Sequence, residues 1–275
     1  MCFRFSRLRL LAVLTGLAWA VSAPTAARAD NDAPLHEGGA HPLDEPLAWA
    51  YDGLKHVDSD IKDYSCTLVK RERVQGELLD REYIFTKVRH EPFSVYMYFL
   101  KPSAKKGNEV VYVEGENDGK MWAIAGTGFR RRIGVVSLVP DGPIAMEDNR
   151  YPITMTGFRV LVERLIELGE QDQKYGETEV QYYKNAKING RTVTCIEVKH
   201  PKPRKEFRYH LARIFVDDEM QVPIRLEAYS WPTTEGGKPV LVEEYTYLNV
   251  KLNNGYTDED FNYKNENYHF VSAAE

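Results

Sequence analysis

The sequence predicts an α+β, β-rich fold: one curled antiparallel sheet with a few helices. Segments rich in β-branched and aromatic residues fill most of the chain after residue 62. Turn signals join consecutive segments, so neighbours pair as hairpins. Only two stretches carry apolar residues at helical spacing. So many hairpins must curl or close to protect their edges.

Taken in order, the first element is a targeting segment. Arg4, Arg7 and Arg9 precede an apolar run from Leu10 to Val21, followed by Ala27-Arg28-Ala29. A basic start, a short apolar run and an A-x-A site form a secretory signal peptide, residues 1–29, cleaved after Ala29. Cys2 precedes the apolar run, so it is not placed for lipoprotein acylation, and Leu8 separates Arg7 from Arg9, so there is no twin arginine. The expectation is a soluble, exported, periplasmic protein without a transmembrane segment in the mature chain. Cleavage leaves 32 of the 36 basic residues against all 41 acidic ones, a net charge of about −9, which argues against nucleic acid as a partner.

Residues 30–43, "DNDAPLHEGGAHPL", are polar and rich in Gly, Ala and Pro, and predict a flexible leader. A single domain over 44–275 follows. It begins with a helix in which Leu47, Ala50, Tyr51, Leu54, Val57 and Ile61 recur at helical spacing, with Asp44 as its N-cap. "DYSCTLVKRERV" and "REYIFTKVRH" flank "QGELL" as a hairpin. "PFSVYMYFLKP" is a strand with an unusual pattern. Phe93, Val95, Met97 and Phe99 are apolar on one face, while the other carries Tyr96 and Tyr98 instead of charges. Two short strands meet around Asp118-Gly119. A second helix places Phe158, Leu161, Val162 and Leu165 on one stripe and ends at Gly169. Asn189-Gly190 then joins two strands, and two further strand segments continue the meander.

Motifs for chemistry are sparse. His36 and His41 in "HEGGAH" are five apart with two glycines between them, not the four apart on a helix that zinc proteases use. There is no G-x-S-x-G elbow, Walker loop or dinucleotide glycine pattern, so no cofactor, metal or catalytic residue is assigned. Asp58, Asp60 and Asp63 lack the glycine and terminal glutamate of a calcium loop and read as a solvated helix end. Cys66 and Cys195, the cysteines that survive cleavage, are either a disulfide or two independent buried thiols. Two basic clusters stand out: Arg130, Arg131 and Arg132 in one loop, and Lys199, Lys202, Arg204 and Lys205 in another. They suit phosphate head groups, an acidic envelope partner protein, or plain solvation.

Several strings together are similar to one family. "YSCTLVKRERVQGEL", "PFSVYMYFLKP", "EVVYVEG", "PDGPIAMEDNRYPITMTGF", "ARIFVDDEMQVPIRLEAY" and "GYTDEDFNYKNENYHF" resemble, in family order, domain-of-unknown-function family 1571 of exported bacterial proteins, over about residues 44–270. That family in turn resembles the periplasmic lipoprotein carriers LolA and LolB. The shared features are the strand ending at Pro102, a strand with Trp122, the "VDDEMQVPIRL" hairpin and the closing "DEDF". The resemblance implies an incomplete β-barrel wrapped around lid helices, with an acyl-chain cavity. Phe93, Val95, Met97 and Phe99 would then face inward and meet the stripe of Phe158, Leu161, Val162 and Leu165 as the candidate lumen. The expected function is non-enzymatic binding of a lipid, a lipidated protein or another amphiphile. A closed-core envelope interaction module is the alternative, and a hydrolase the third reading.

Overall fold

The computed structural model describes residues 39–270. The expected signal peptide, His36, most of the leader and the last five residues lie outside the described residues.

Helix α1 runs over Asp44–Asp60. The residues just before it are not a loose leader. His41 and Leu43 are buried. The His41 Nδ1 accepts from the Leu43 N–H at 3.0 Å, which leaves Nε2 to donate to the Tyr175 carbonyl at 2.8 Å. His41 and Leu43 therefore pack with the domain ahead of α1. Asp44 lies in the first turn, with Leu43 as the cap, and its carboxylate accepts from the His41 N–H at 2.7 Å.

One antiparallel sheet follows: β1 (Asp63–Val74), β2 (Glu77–Leu78), β3 (Glu82–Arg89), β4 (Ser94–Lys101), β5 (Glu109–Val113), β6 (Met121–Ile124), β7 (Val136–Leu138), β8 (Glu179–Ile188), β9 (Arg191–Lys199), β10 (Leu211–Asp217), β11 (Pro223–Ser230) and β12 (Val240–Leu252). Its order is β7-β6-β5-β4-β3-β1-β12-β11-β10-β9-β8, with β2 folded back on β1. Almost every step is a hairpin between sequence neighbours. At Asn189 and Gly190, both with positive φ, the two-residue turn takes the form that matches strand twist. The long step is β1 to β12, which brings the first and last strands together at the centre. The ends β7 and β8 are not paired, so the barrel is incomplete, as the family resemblance implies.

Three helices interrupt the strands: α2 (Gly128–Ile133) between β6 and β7, and α3 (Pro143–Met146) and α4 (Phe158–Asp172) between β7 and β8. Helix α4 does not stop at Gly169. That glycine lies inside the helix, because α1 packs there: a Cβ on Gly169 would stand 2.8 Å from Leu47 Cδ2. Gly157, at φ +118°, precedes α4, and the Tyr64 hydroxyl accepts from the Phe158 N–H at 3.1 Å. The inner face of the sheet and the two long helices enclose a core that includes Val57, Tyr64, Val88, Val95, Phe158 and Tyr247.

The outer face of β3–β6 is covered too. The segment after β12, with a short turn at Asp258–Phe261, lays Phe261, Tyr268 and Phe270 against Tyr96, Val111, Val113 and Ile124. Asp63 starts this strap. It is not a solvated helix end but a buried carboxylate accepting the N–H groups of Asn254, Gly255 and Tyr256 at 2.6–3.2 Å. Lys87 to Asp260 (2.8 Å) and Arg89 to Asp258 (2.7 Å) fasten its middle, and buried Glu109 holds the His269 N–H.

The disulfide alternative does not hold. Cys66 and Cys195 are both free and buried. They lie on β1 and β9 with β12, β11 and β10 between, a separation of roughly 19 Å along the sheet at ~4.8 Å per strand. A disulfide needs Cα atoms within about 7 Å.

Candidate ligand-binding site

Strand pairing builds the inner wall row by row. Ile196 on β9 is opposite Ile214 on β10, which is opposite Leu226 on β11. Val198 and Ala212 form the next row, and Thr194 and Val216 the one after. Period-two alternation puts all of these on one face. Above them lie Leu47, Trp49, Ala50 and Gly53 of α1, and Leu161, Val162, Leu165 and Leu168 of α4. Wall and helices enclose a cavity of about 450 Å³. A smaller cavity of about 150 Å³ continues on the β1–β6 side, lined by Leu68, Ile84, Met97, Phe99 and Tyr247 and roofed by Ile153 and Met155. Leu161, Arg164, Leu226 and Glu243 border both, so the two form chambers on either side of one divide.

The expected lumen residues are split by this arrangement. Met97 and Phe99 line the small chamber, Val162 and Leu165 the large one, and Leu161 both. Val95 and Phe158 are fully buried in packed core, and Phe93 packs against that core. The larger space lies against β9–β11, not against β4. Its wall is legible in the sequence only as ordinary alternation in "TVTCIEV" and "LARIFV", which does not say which strands lie beneath a helix.

The divide is polar. Glu243 accepts from Arg150 Nε and the Tyr151 hydroxyl, both at 2.8 Å, and from the Tyr209 hydroxyl at 2.6 Å. Its cross-strand neighbour Glu72 accepts from the Tyr245 hydroxyl at 2.5 Å and the Arg150 N–H at 3.1 Å. Burial, and then the charge of Glu243, raises the phenols of Tyr209 and Tyr245 above their ordinary range, so both remain donors.

At the far side of the large chamber Asp172 Oδ2 faces His200 Nε2 at 3.3 Å. Burial pushes Asp172 up to about 7 and His200 below its ordinary value. The geometry agrees with a neutral pair. His200 Nδ1 donates to the Tyr209 carbonyl at 2.9 Å, which leaves Nε2 as the acceptor facing a protonated Asp172. Burial thus disfavours the charged form of both groups on that wall.

The two basic clusters do not meet at the chambers. Arg130 and Arg132 are exposed on α2, Arg130 lies 3.9 Å from Glu147, and Arg131 donates to the His269 carbonyl at 3.0 Å. The other cluster lies between β9 and β10. There Arg204 is buried against Glu177 at 2.5 Å and over the Tyr175 ring, Lys202 lies 3.8 Å from Glu177, Lys205 pairs with Glu206, and Lys199 pairs with Glu179 at 3.0 Å. Arg204 thus works as structure. No helix among the described residues is long and apolar enough to cross a membrane.

The family model for "Protein of unknown function (DUF1571)" matches residues 61–270. No protein of curated function matches the chain. Among solved structures the chain is similar to a DUF1329 family protein from Desulfovibrio piger (13% identity, 81% of this chain and 98% of that one, TM-score 0.36). It is similar to the Mycobacterium tuberculosis lipoprotein LppX (11%, 78% and 98%, TM-score 0.43). It is also similar to a LolA superfamily protein from Nitrosomonas europaea (10%, 78% and 97%, TM-score 0.33).

Proposed function

This chain belongs to the DUF1571 family, and we propose that it is a non-enzymatic binding protein that holds the acyl part of a lipid, a lipidated protein or another amphiphile in its inner chamber. The observation that carries the reading is the 450 Å³ cavity between α1, α4 and β9–β11. Small-molecule sites are mostly apolar cavities of about 300–1,000 Å³ with a few placed polar groups. This cavity has apolar walls, a polar divide and a buried Asp172–His200 pair. Export by the signal read in residues 1–29 puts such a protein in the cell envelope, where its ligands are abundant. The test is native mass spectrometry of the purified protein, followed by a thermal-shift screen with fatty acids, phospholipids and lipopeptides. A bound ligand stabilises by mass action, ~2.7 kcal/mol at a hundredfold excess over Kd. Leu165→Glu puts a charge on the wall and removes the shift, with circular dichroism to confirm folding.

One observation favours the interaction-module reading as second. Phe129 (76% exposed), Ile133 (60%) and Ile144 (68%) are bare beside Arg130 and Arg132. This surface suits a partner protein with an apolar patch rimmed by acids. No shift with any amphiphile, with envelope-partner binding lost in Phe129→Ser/Ile133→Ser, is the outcome that selects it.

A further inference from the structure

We infer that the amphiphile carries an anionic head, a carboxylate or phosphate, and that Arg164 and Arg208 hold it beside Tyr151 at the divide. The inference rests on the binding reading above and names the ligand class.

The two carboxylates of the divide are already occupied. Glu243 is engaged by Arg150, Tyr151 and Tyr209, and Glu72 by Tyr245, Lys70 and the Arg150 backbone. Two guanidinium groups are left over. Among the described residues Arg164 and Arg208 form no ion pair with any carboxylate, unlike Arg150. Both reach one oxygen, and Arg208 Nε donates in addition to the Tyr209 hydroxyl at 2.9 Å. The Tyr151 hydroxyl accepts from Arg164 at 2.5 Å and from Arg208 at 2.8 Å while donating to Glu243. Their guanidinium carbons lie 3.9 and 5.7 Å from the Tyr151 ring centre.

Two like charges drawn to one neutral oxygen repel, and an anion between them removes that cost and uses their remaining N–H donors. Planar guanidinium groups suit carboxylate and phosphate, which accept two parallel hydrogen bonds. The placement also fits an acyl chain. Arg164 borders both chambers and shares α4 with Leu161 and Leu165, so a head at Arg164 puts its tail directly among apolar side chains. Arg208 is exposed, so the head sits toward solvent and the tail inward.

The experiment is a titration of the purified protein with palmitate, hexadecyl phosphate, hexadecanol and inorganic phosphate, on wild type, Arg164→Gln, Arg164→Lys and Arg208→Gln. Circular dichroism checks each fold. Palmitate or hexadecyl phosphate should bind roughly tenfold to a hundredfold tighter than hexadecanol, as charge-assisted hydrogen bonds imply. The stronger of the two identifies the head. Arg164→Gln and Arg208→Gln should erase the preference, so that within each variant palmitate and hexadecyl phosphate bind no tighter than hexadecanol, and Arg164→Lys should keep part of it. Equal affinity for palmitate and hexadecanol overturns the anionic head while leaving amphiphile binding intact. Tight binding of inorganic phosphate alone overturns the tail placement. If no amphiphile binds, both readings fall.

Discussion

Tyr268 lies flat on Tyr96, with ring centres 4.0 Å apart and planes 10° from parallel. The contact explains why β4 has aromatic residues on both faces. Its inner face meets the core and small chamber, and its outer face is roofed by the strap after β12. Tyr268 also donates to the Asp260 carbonyl at 2.5 Å. Tyr268→Ala should therefore cost ~3–5 kcal/mol, as buried aromatic truncations do, and Tyr268→Phe about 1 kcal/mol. Urea unfolding curves of the two variants check this, and equal, small losses would show that the strap carries little of the fold.

The α1–α4 contact makes a sharper prediction. A side chain at Gly169 runs into Leu47, so Gly169→Val should destabilise by ~1–3 kcal/mol through overpacking. Leu47→Ala in the same chain should recover much of that loss, since the clash is between those two side chains. A double-mutant cycle measures the coupling, expected above about 0.5 kcal/mol.

Asp172 gives a signed pH dependence. Burial raises it from an ordinary 3.8 to about 7. Between those values the folded chain keeps a proton that the unfolded chain has lost, so this group's contribution to stability falls as pH rises from about 4 to 7. His200, held below 6.5 by burial, acts with the opposite sign and costs stability as pH drops below about 6.5. Asp172→Asn removes only the first effect. Its melting temperature relative to wild type should be higher at pH 8 than at pH 5, whereas a constant offset would mean that Asp172 titrates normally.

The strands and the helix register were largely legible, because hairpin turns and periodicity are local signals. "DYSCTLVKRERV" is β1, and Asn189-Gly190 is the β8–β9 turn. What the sequence hid is tertiary. The strap "GYTDEDFNYKNENYHF" has little regular secondary structure, so its aromatic residues follow no period that marks them as a cover. Gly169 matches a helix stop by composition, and only the approach of Leu47 shows why a glycine sits inside the helix. The arginines of the divide come from distant positions, Arg150, Arg164 and Arg208, and nothing in their spacing unites them. The compact basic clusters at 130–132 and 202–205 are more visible in sequence but stand away from the chambers.

Both cysteines should behave as separate thiols. Burial raises Cys66 well above the ordinary thiol range and Cys195 to about 11, so neither should react quickly in the folded protein. Denaturation without reductant should expose both Cys66 and Cys195 to maleimide, identified by peptide mass. One linked peptide and no labelling would contradict the fold's strand order.

Trp49 lines the large chamber, while Trp122 lies on β6 stacked on Tyr263. Quenching of tryptophan fluorescence by a bromine-labelled fatty acid therefore tests the central claim directly, because bromine quenches only at short range. Saturable quenching that survives Trp122→Phe and disappears in Trp49→Phe is the predicted result. No quenching in the folded wild type, or quenching that persists unchanged in Trp49→Phe, would contradict an acyl chain held beneath α1 and α4.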